Sequence, residues 1–215
     1  MTSRSGDDVA PDGTADAVAT AEQIALYSTQ IAAITADPRW HGGDYHGRPP
    51  GFGPHAGMGL ARRMAQVSYR SEQELAAWFG DRVQPDGRFA AESYVEHHAD
   101  KLARRFDAGT YVILTRAMMT QNVGRNRGGV AAALAGCPVA VTVAGVDSDR
   151  LYPLRLQHEI ADGMGVRPPG AGGGAGSGVA VVRSEYGHDS FLLETEQVGA
   201  VIRAALAASA PSFQR

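Results

Sequence analysis

From residue 20 to residue 122 the apolar positions recur three and four apart, the interval that lays one stripe along a helix. Ile24, Leu26, Ile31, Ala32 and Ile34 predict a first helix. It opens at a capping box, Thr20 with Gln23 three residues on, and stops before Pro38. The breaker-rich stretch 38–54, PRWHGGDYHGRPPGFGP, reads as a loop. Helical spacing returns over 57–69 (GMGLARRMAQVSY), and Ser71 caps a further helix with Glu74 three residues on. Pro85-Asp86-Gly87 marks a turn between that helix and two longer ones, over 89–106 and 109–122. GRNRGG at 124–129 breaks the chain before a short helix over 130–134. The stripes Leu26/Ile31/Ile34, Leu60/Met64/Val67 and Tyr111/Ile113/Leu114/Met118 are expected to be core.

After residue 134 the period changes. A valine-rich run over 138–144 ends in small residues and then Asp147, Ser148, Asp149 and Arg150. A second run, GVAVVR at 178–183, is followed by SEYGHD, which carries His188 and Asp189. Short apolar runs that end in polar clusters are buried strands delivering side chains at their carboxyl ends. With helices predicted over 153–164 and 191–208, this part is a βαβα unit with a right-handed crossover and a parallel strand pair. The Gly/Pro-rich stretch 166–178 precedes a strand, whereas phosphate loops follow one, so it reads as a linker. Residues 1–18, rich in Asp, Gly, Ser and Thr, read as a disordered tail. The expected organisation is a tail (1–18), a helical region (19–134) and a βαβα part (135–215), the last two forming one domain without internal repeats.

Composition narrows the class. With 215 residues the chain is long enough for one sizeable core, and 44% hydrophobic with 20% charged residues is globular usage. A net charge of -3 with acids among the basic pairs Arg104-Arg105 and Arg125/Arg127 argues for solvated faces and against nucleic acid. A lone Cys137 excludes an internal disulfide framework. No apolar run approaches a membrane span, and the first residues lack a signal peptide's apolar core, so the cytoplasm is the expected compartment.

The chemistry sits at the two strand ends. An acid after one strand and a histidine after the next is the second half of a Ser–Asp–His order. There the carboxylate fixes the imidazole tautomer, and the free Nε2 takes a proton from a hydroxyl. Asp149 is the candidate acid, Asp147 the alternative, and His188 the candidate base. The competing reading makes Asp149 a cap of the helix that Pro153 begins and His188 a turn residue. No serine has glycine both two before and two after it; Ser177 comes nearest, flanked by Ala175 and Val179, but follows Asp149. Cys137, at the strand entrance, reads as buried and structural. His41, Asp44 and His46 lack a third histidine for a metal site, and His97 and His98 read as surface positions.

Five stretches carry a family resemblance: ATAEQIALYSTQIAAITADPRWHGGDY, LARRMAQVSYRSE, SYVEHHADKLARRFDAGTYVILTRAM, AGVDSDRLYPLRLQ and SEYGHDSFLLET. Together they resemble the C-terminal half of the homoserine O-acetyltransferases, α/β-hydrolase-fold enzymes of methionine biosynthesis. The resemblance implies an α/β fold, the C-terminal portion of an α/β-hydrolase with two parallel core strands and a large helical lid. It matches Asp149 and His188 to the triad acid and histidine, and Arg62 and Asp189 to substrate-binding positions. It implies acetyl-CoA as acyl donor, L-homoserine as acceptor, no permanently bound cofactor, and a homodimer formed through the lid. The family's nucleophile elbow and oxyanion loop lie in its N-terminal half, which these stretches do not include. The expectation is a truncated acyltransferase that does not carry the reaction alone, its serine coming from elsewhere: a separately encoded N-terminal half, or sequence that follows a start further upstream. The alternative is an inactive remnant or a dimerising interaction module. Ala99 stands where the family pattern leads one to expect glycine, and Gln121-Asn122 where it commonly has His-Asp.

Overall fold

The computed structural model describes residues 18–49, 51–166 and 178–209. Residues 1–17 of the tail expected over 1–18, most of the 166–178 linker and Ser177 lie outside the described residues. The first part is a layer of helices: α1 (Ala21–Thr35), α2 (His55–Tyr69), α3 (Glu72–Trp78), α4 (Ala90–Ala103), α5 (Ala108–Met119) and α6 (Val130–Ala135). The predicted caps are present. Thr20 and Gln23 close a reciprocal capping box on α1, and Ser71 Oγ accepts the Glu74 amide at the start of α3.

Helix α2 packs against both α1 and α4, and α5 lies along α1. Ile34, Tyr45, Met58, Ala61, Leu102, Ala108 and Val112 form the core between them. Gly57 lets α2 approach α1: a β-carbon there would stand 2.4 Å from the Ala33 carbonyl oxygen and 2.9 Å from Ile34 Cα. Ala99, on the α4 side of α2, is buried and fills the space beside Gly59. The Gln121 carbonyl and the Asn122 backbone tie the end of the α5 segment to Ala19 and Val18.

Two parts of the expected core differ. Leu60, Val67, Ile113, Leu114 and Met118 are exposed, Ile113 at 68%. On α1 the buried face is Gln23, Tyr27, Gln30 and Ile34 rather than the Ile24 side, because the apolar stripe is not the stripe that meets the rest of the molecule. The hydroxyls and amides of that face find partners: Gln23 Nε2 donates to the Leu151 carbonyl and Tyr111 OH donates to Gln30 Oε1.

The second part is a parallel pair, β1 (Val143–Val146) and β2 (Val179–Val182), with Val143 opposite Val179. Helix α7 (Leu154–Gly163) lies between them in sequence, and α8 (Ser190–Leu193) and α9 (Thr195–Ser209) follow. β1 begins later than the run over 138–144 predicts. The ladder with β2 runs over four pairs, and among the described residues those before Val143 have no ladder partner; Val139 is 65% exposed. Cys137 is half-buried instead of buried. The helix expected over 191–208 is broken at Glu194 (φ -81, ψ 56). There the chain restarts so that Gln197 clamps the end of β2, accepting from Arg183 N at 2.9 Å and donating to Arg183 O at 2.8 Å. Among the described residues no helix is long and apolar enough to cross a membrane.

Candidate active site

The turn after β1 buries Asp149, and its two carboxylate oxygens do different work. Oδ1 accepts the amides of Leu151 (2.8 Å) and Tyr152 (2.9 Å), which shapes the turn into α7. Oδ2 lies 2.8 Å from His188 Nδ1. Asp149 does not cap α7, whose N-cap is Pro153 with no side-chain hydrogen bond; its Oδ1 instead shapes the turn before the helix, and its Oδ2 faces the imidazole. With Nδ1–H donating to the carboxylate, Nε2 is the acceptor nitrogen. The Asp149 hydrogen bond raises the His188 pKa above its ordinary value, with burial opposing. Asp147 faces elsewhere: its Oδ1 accepts the Ser184 amide at 3.0 Å, tying the two strand ends together.

His188 rides on a short 3₁₀ turn, Gly187–Asp189, pinned from both sides. Ser148 Oγ accepts the Gly187 amide, and buried Ser190 donates to the Gly187 carbonyl at 2.6 Å. From the helical layer, Ser71 donates to the Glu185 carbonyl. Gly187 has φ +74 and sits directly on the Tyr69–Ser71 backbone.

A cavity of about 250 Å³ opens beside the imidazole, lined by His188, Tyr27, Tyr69, Tyr111, Tyr152 and Met118 among others. The Tyr69 and Tyr152 rings lie 5.5 and 5.4 Å from the imidazole ring, and Phe191 6.0 Å. Tyr27 and Tyr152 share a hydroxyl–hydroxyl bond of 3.0 Å. Burial raises the phenol pKa values of Tyr27, Tyr69 and Tyr111, so these hydroxyls stay neutral donors.

Of the two predicted substrate positions, Arg62 holds its guanidinium 5.0 Å from the centre of the Tyr69 ring, next to His188. Asp189 adjoins His188 in the chain but is engaged by Arg70 Nη2 at 3.4 Å. Sequence reasoning did not single out Arg70. Its side chain is 11% exposed, stacks on Trp78 at 5.4 Å, donates from Nε to Tyr94 OH and from Nη1 to Glu74 Oε1 at 3.0 Å. Glu74 is 1% exposed, and its Oε2 has no partner among the described residues. Burial raises its carboxyl pKa, with Arg70 opposing. The available signal was the i,i+4 spacing of Arg70 and Glu74. Tyr152, next to Asp149 in the LYP turn, was also legible in position though not in role.

His98 is half-buried against Tyr94 (4.7 Å) rather than a surface residue, and burial lowers its pKa. His41 stacks on Phe52 and His46 on Tyr45. Among the described residues no three His, Cys, Asp or Glu side chains are grouped to hold a metal.

A parallel strand pair with an acid and a histidine at neighbouring carboxyl ends, under a helical layer, is the arrangement of the α/β-hydrolases. Solved structures agree at the level of fold. A homoserine O-acetyltransferase from Bacillus anthracis superimposes with a TM-score of 0.72 at 16% identity, over 89% of this chain and 50% of that one. An acetylester hydrolase from Corynebacterium glutamicum gives 0.67 at 19%, over 89% and 51%. No family model matches the chain. In sequence, the homoserine O-acetyltransferases of Mycobacterium tuberculosis and Mycobacterium bovis are 54% identical over 194 residues, 87% of this chain and 48% of theirs. The chain is homologous to the homoserine O-acetyltransferases and spans about half the length of the curated relatives it matches.

Proposed function

We propose that the chain supplies the acid–base half of a homoserine O-acetyltransferase: acetyl-CoA and L-homoserine give O-acetyl-L-homoserine and coenzyme A, a step of methionine biosynthesis. The observation that carries the reading is the 2.8 Å bond between Asp149 Oδ2 and His188 Nδ1, in a chain with relatives of that name. A serine hydroxyl, supplied by the part of the hydrolase fold outside the matched half, loses its proton to His188 Nε2 as it attacks the acetyl carbonyl. The tetrahedral intermediate collapses, and His188 returns the proton to the departing thiolate. The homoserine hydroxyl then gives its proton to His188 and takes the acetyl group from the serine, whose oxygen is reprotonated. Asp149 stabilises each imidazolium that forms. Arg62 binds the homoserine carboxylate and Asp189 its ammonium. No bound cofactor is required, and the reaction belongs to the cytoplasm.

A dimer through the helical layer accounts for the exposed Ile113 (68%) and Leu114 (51%) on α5. Those exposed side chains also favour a second reading, an interaction module without turnover. Coenzyme A release from acetyl-CoA plus homoserine tests both. The chain with an added polypeptide carrying the other half of a relative turns over; the chain alone does not. Turnover by the chain alone overturns the external serine, and silence of the reconstituted pair favours the module.

A further inference from the structure

A second cavity, about 350 Å³, lies where the start of α2 and the start of α5 meet the end of α4. That volume is within the range of small-molecule sites, roughly 300–1,000 Å³. Its lining carries three cations, Arg48, Arg104 and Arg105, beside the imidazoles of His46 and His55 and against one carboxylate, Asp107. Asp107 is already occupied. It accepts from Tyr45 OH and from the Thr110 amide, both at 2.6 Å, and lies 3.5 Å from His46 Nε2. Among the described residues none of the three arginines takes part in an ion pair. Arg48 instead lies over the Phe52 ring at 5.6 Å. Two helices of 15 and 12 residues begin at this place, and both are already served by carboxylates: Asp37 Oδ2 accepts the Gly57 amide in the first turn of α2 at 2.8 Å, and Asp107 caps α5. The positive charge left here without a carboxylate partner among the described residues is therefore that of the arginines.

Three exposed guanidiniums without a carboxylate partner among the described residues form, around one concavity, a positive patch that favours an anion with several acceptor oxygens. The position adds an identity. Phe106, 39% exposed, lines this cavity and also the one beside His188. The Phe52 ring is already covered by His41, Arg39 and Arg48, which leaves Phe106 as the aromatic side chain of the lining against which a flat base can pack. We propose that this cavity binds the phosphorylated nucleotide end of the acyl-CoA donor, with Arg48, Arg104 and Arg105 on its phosphates and the acyl arm passing Phe106 toward His188. The choice of donor rests on the acyl-transfer reading; the preference for a phosphorylated ligand does not.

The test uses the full chain and needs no turnover. Adenosine 3′,5′-bisphosphate is titrated by calorimetry, with adenosine, inorganic phosphate and coenzyme A as separate arms. The bisphosphate binds saturably, adenosine does not, and inorganic phosphate binds more weakly. Coenzyme A competes for the same site. Arg104→Gln with Arg105→Gln, at exposed positions, weakens binding about tenfold or more through lost charge-assisted hydrogen bonds, with circular dichroism unchanged. Arg48→Gln gives a smaller loss in the same direction. Absence of saturable binding, equal binding of adenosine, or unchanged affinity in the double variant overturns the site. A bisphosphate that binds without competition from coenzyme A overturns the donor assignment. Failure of acyl transfer with binding intact strikes the reading at His188 and leaves this cavity standing.

Discussion

A β-carbon on Gly187 would stand 2.7 Å from the Tyr69 carbonyl oxygen. The residue before the candidate base therefore touches the backbone at the end of α2 with nothing between them. The helical layer and the strand-end turn are set against each other at one glycine, which also holds φ +74. Gly187→Ala meets both a steric contact and a disfavoured backbone. The expected cost is about 2 kcal/mol or more, read as a lower urea midpoint. The His188 ring resonances should shift as the turn is displaced. Unchanged stability would mean that the two layers move apart freely.

Replacing Asp149 separates its two roles. In Asp149→Asn the amide oxygen still accepts the Leu151 and Tyr152 N–H groups, but the charge facing His188 Nδ1 is gone. The His188 pKa lies above its ordinary 6.5 mainly because of that hydrogen bond. A group whose folded pKa is raised holds its proton more tightly in the fold. Its contribution to stability is complete below about 6.5 and disappears as pH rises through the folded value. NMR titration should place His188 above 6.5 in the native chain and lower in the variant, and the stability gained on acidifying past the folded value should shrink with it. A variant with an unmoved His188 titration would remove Asp149 from the pair.

Much of the site was legible because its chemistry is local. The caps at Thr20 and Ser71, and an acid and a histidine each just after an apolar run, follow from spacing within short windows; that Asp149 and His188, 39 residues apart, meet rests on the two runs pairing side by side. Legibility stopped where a stripe's destination mattered. α1 turns Gln23, Tyr27 and Gln30 inward, because that face lines the wall beside His188 and Leu151, while Ile24 stays 37% exposed. Periodicity reports an apolar stripe but not what the stripe faces. Arg70 and Glu74 were readable as an i,i+4 pair; their contact with Asp189, far along the chain, was not.

Arg62 offers a test of the electrostatics on the other side of His188. Its guanidinium over Tyr69 lowers a phenol pKa that burial otherwise raises. Arg62→Met keeps much of the packing and removes the charge, so the Tyr69 phenol should titrate at higher pH still. Following the Tyr69 ring by NMR during an alkaline titration measures it. In the reconstituted enzyme the same variant should raise KM for homoserine, with hydrolysis of a simple acetyl ester little changed.

Glu74 is the buried charge on which Arg70 depends. Glu74→Ala leaves an arginine 11% exposed with only the 3.4 Å contact to Asp189 as counter-ion. Breaking a buried pair from one side costs about 3–5 kcal/mol, so the alanine variant should unfold at markedly lower denaturant. Glu74→Gln keeps an acceptor for Arg70 Nη1 and takes away a carboxylate whose Oε2 has no partner among the described residues. It should cost less than the alanine. Because burial raises the Glu74 pKa above 4.5, the fold binds this proton better than the unfolded chain does. The native chain should therefore lose part of its stability as pH rises from 4.5 through the folded value, and that loss should be missing in Glu74→Gln. Denaturation midpoints across that interval decide it: parallel curves for the two proteins would mean that Glu74 is as ionised in the fold as out of it.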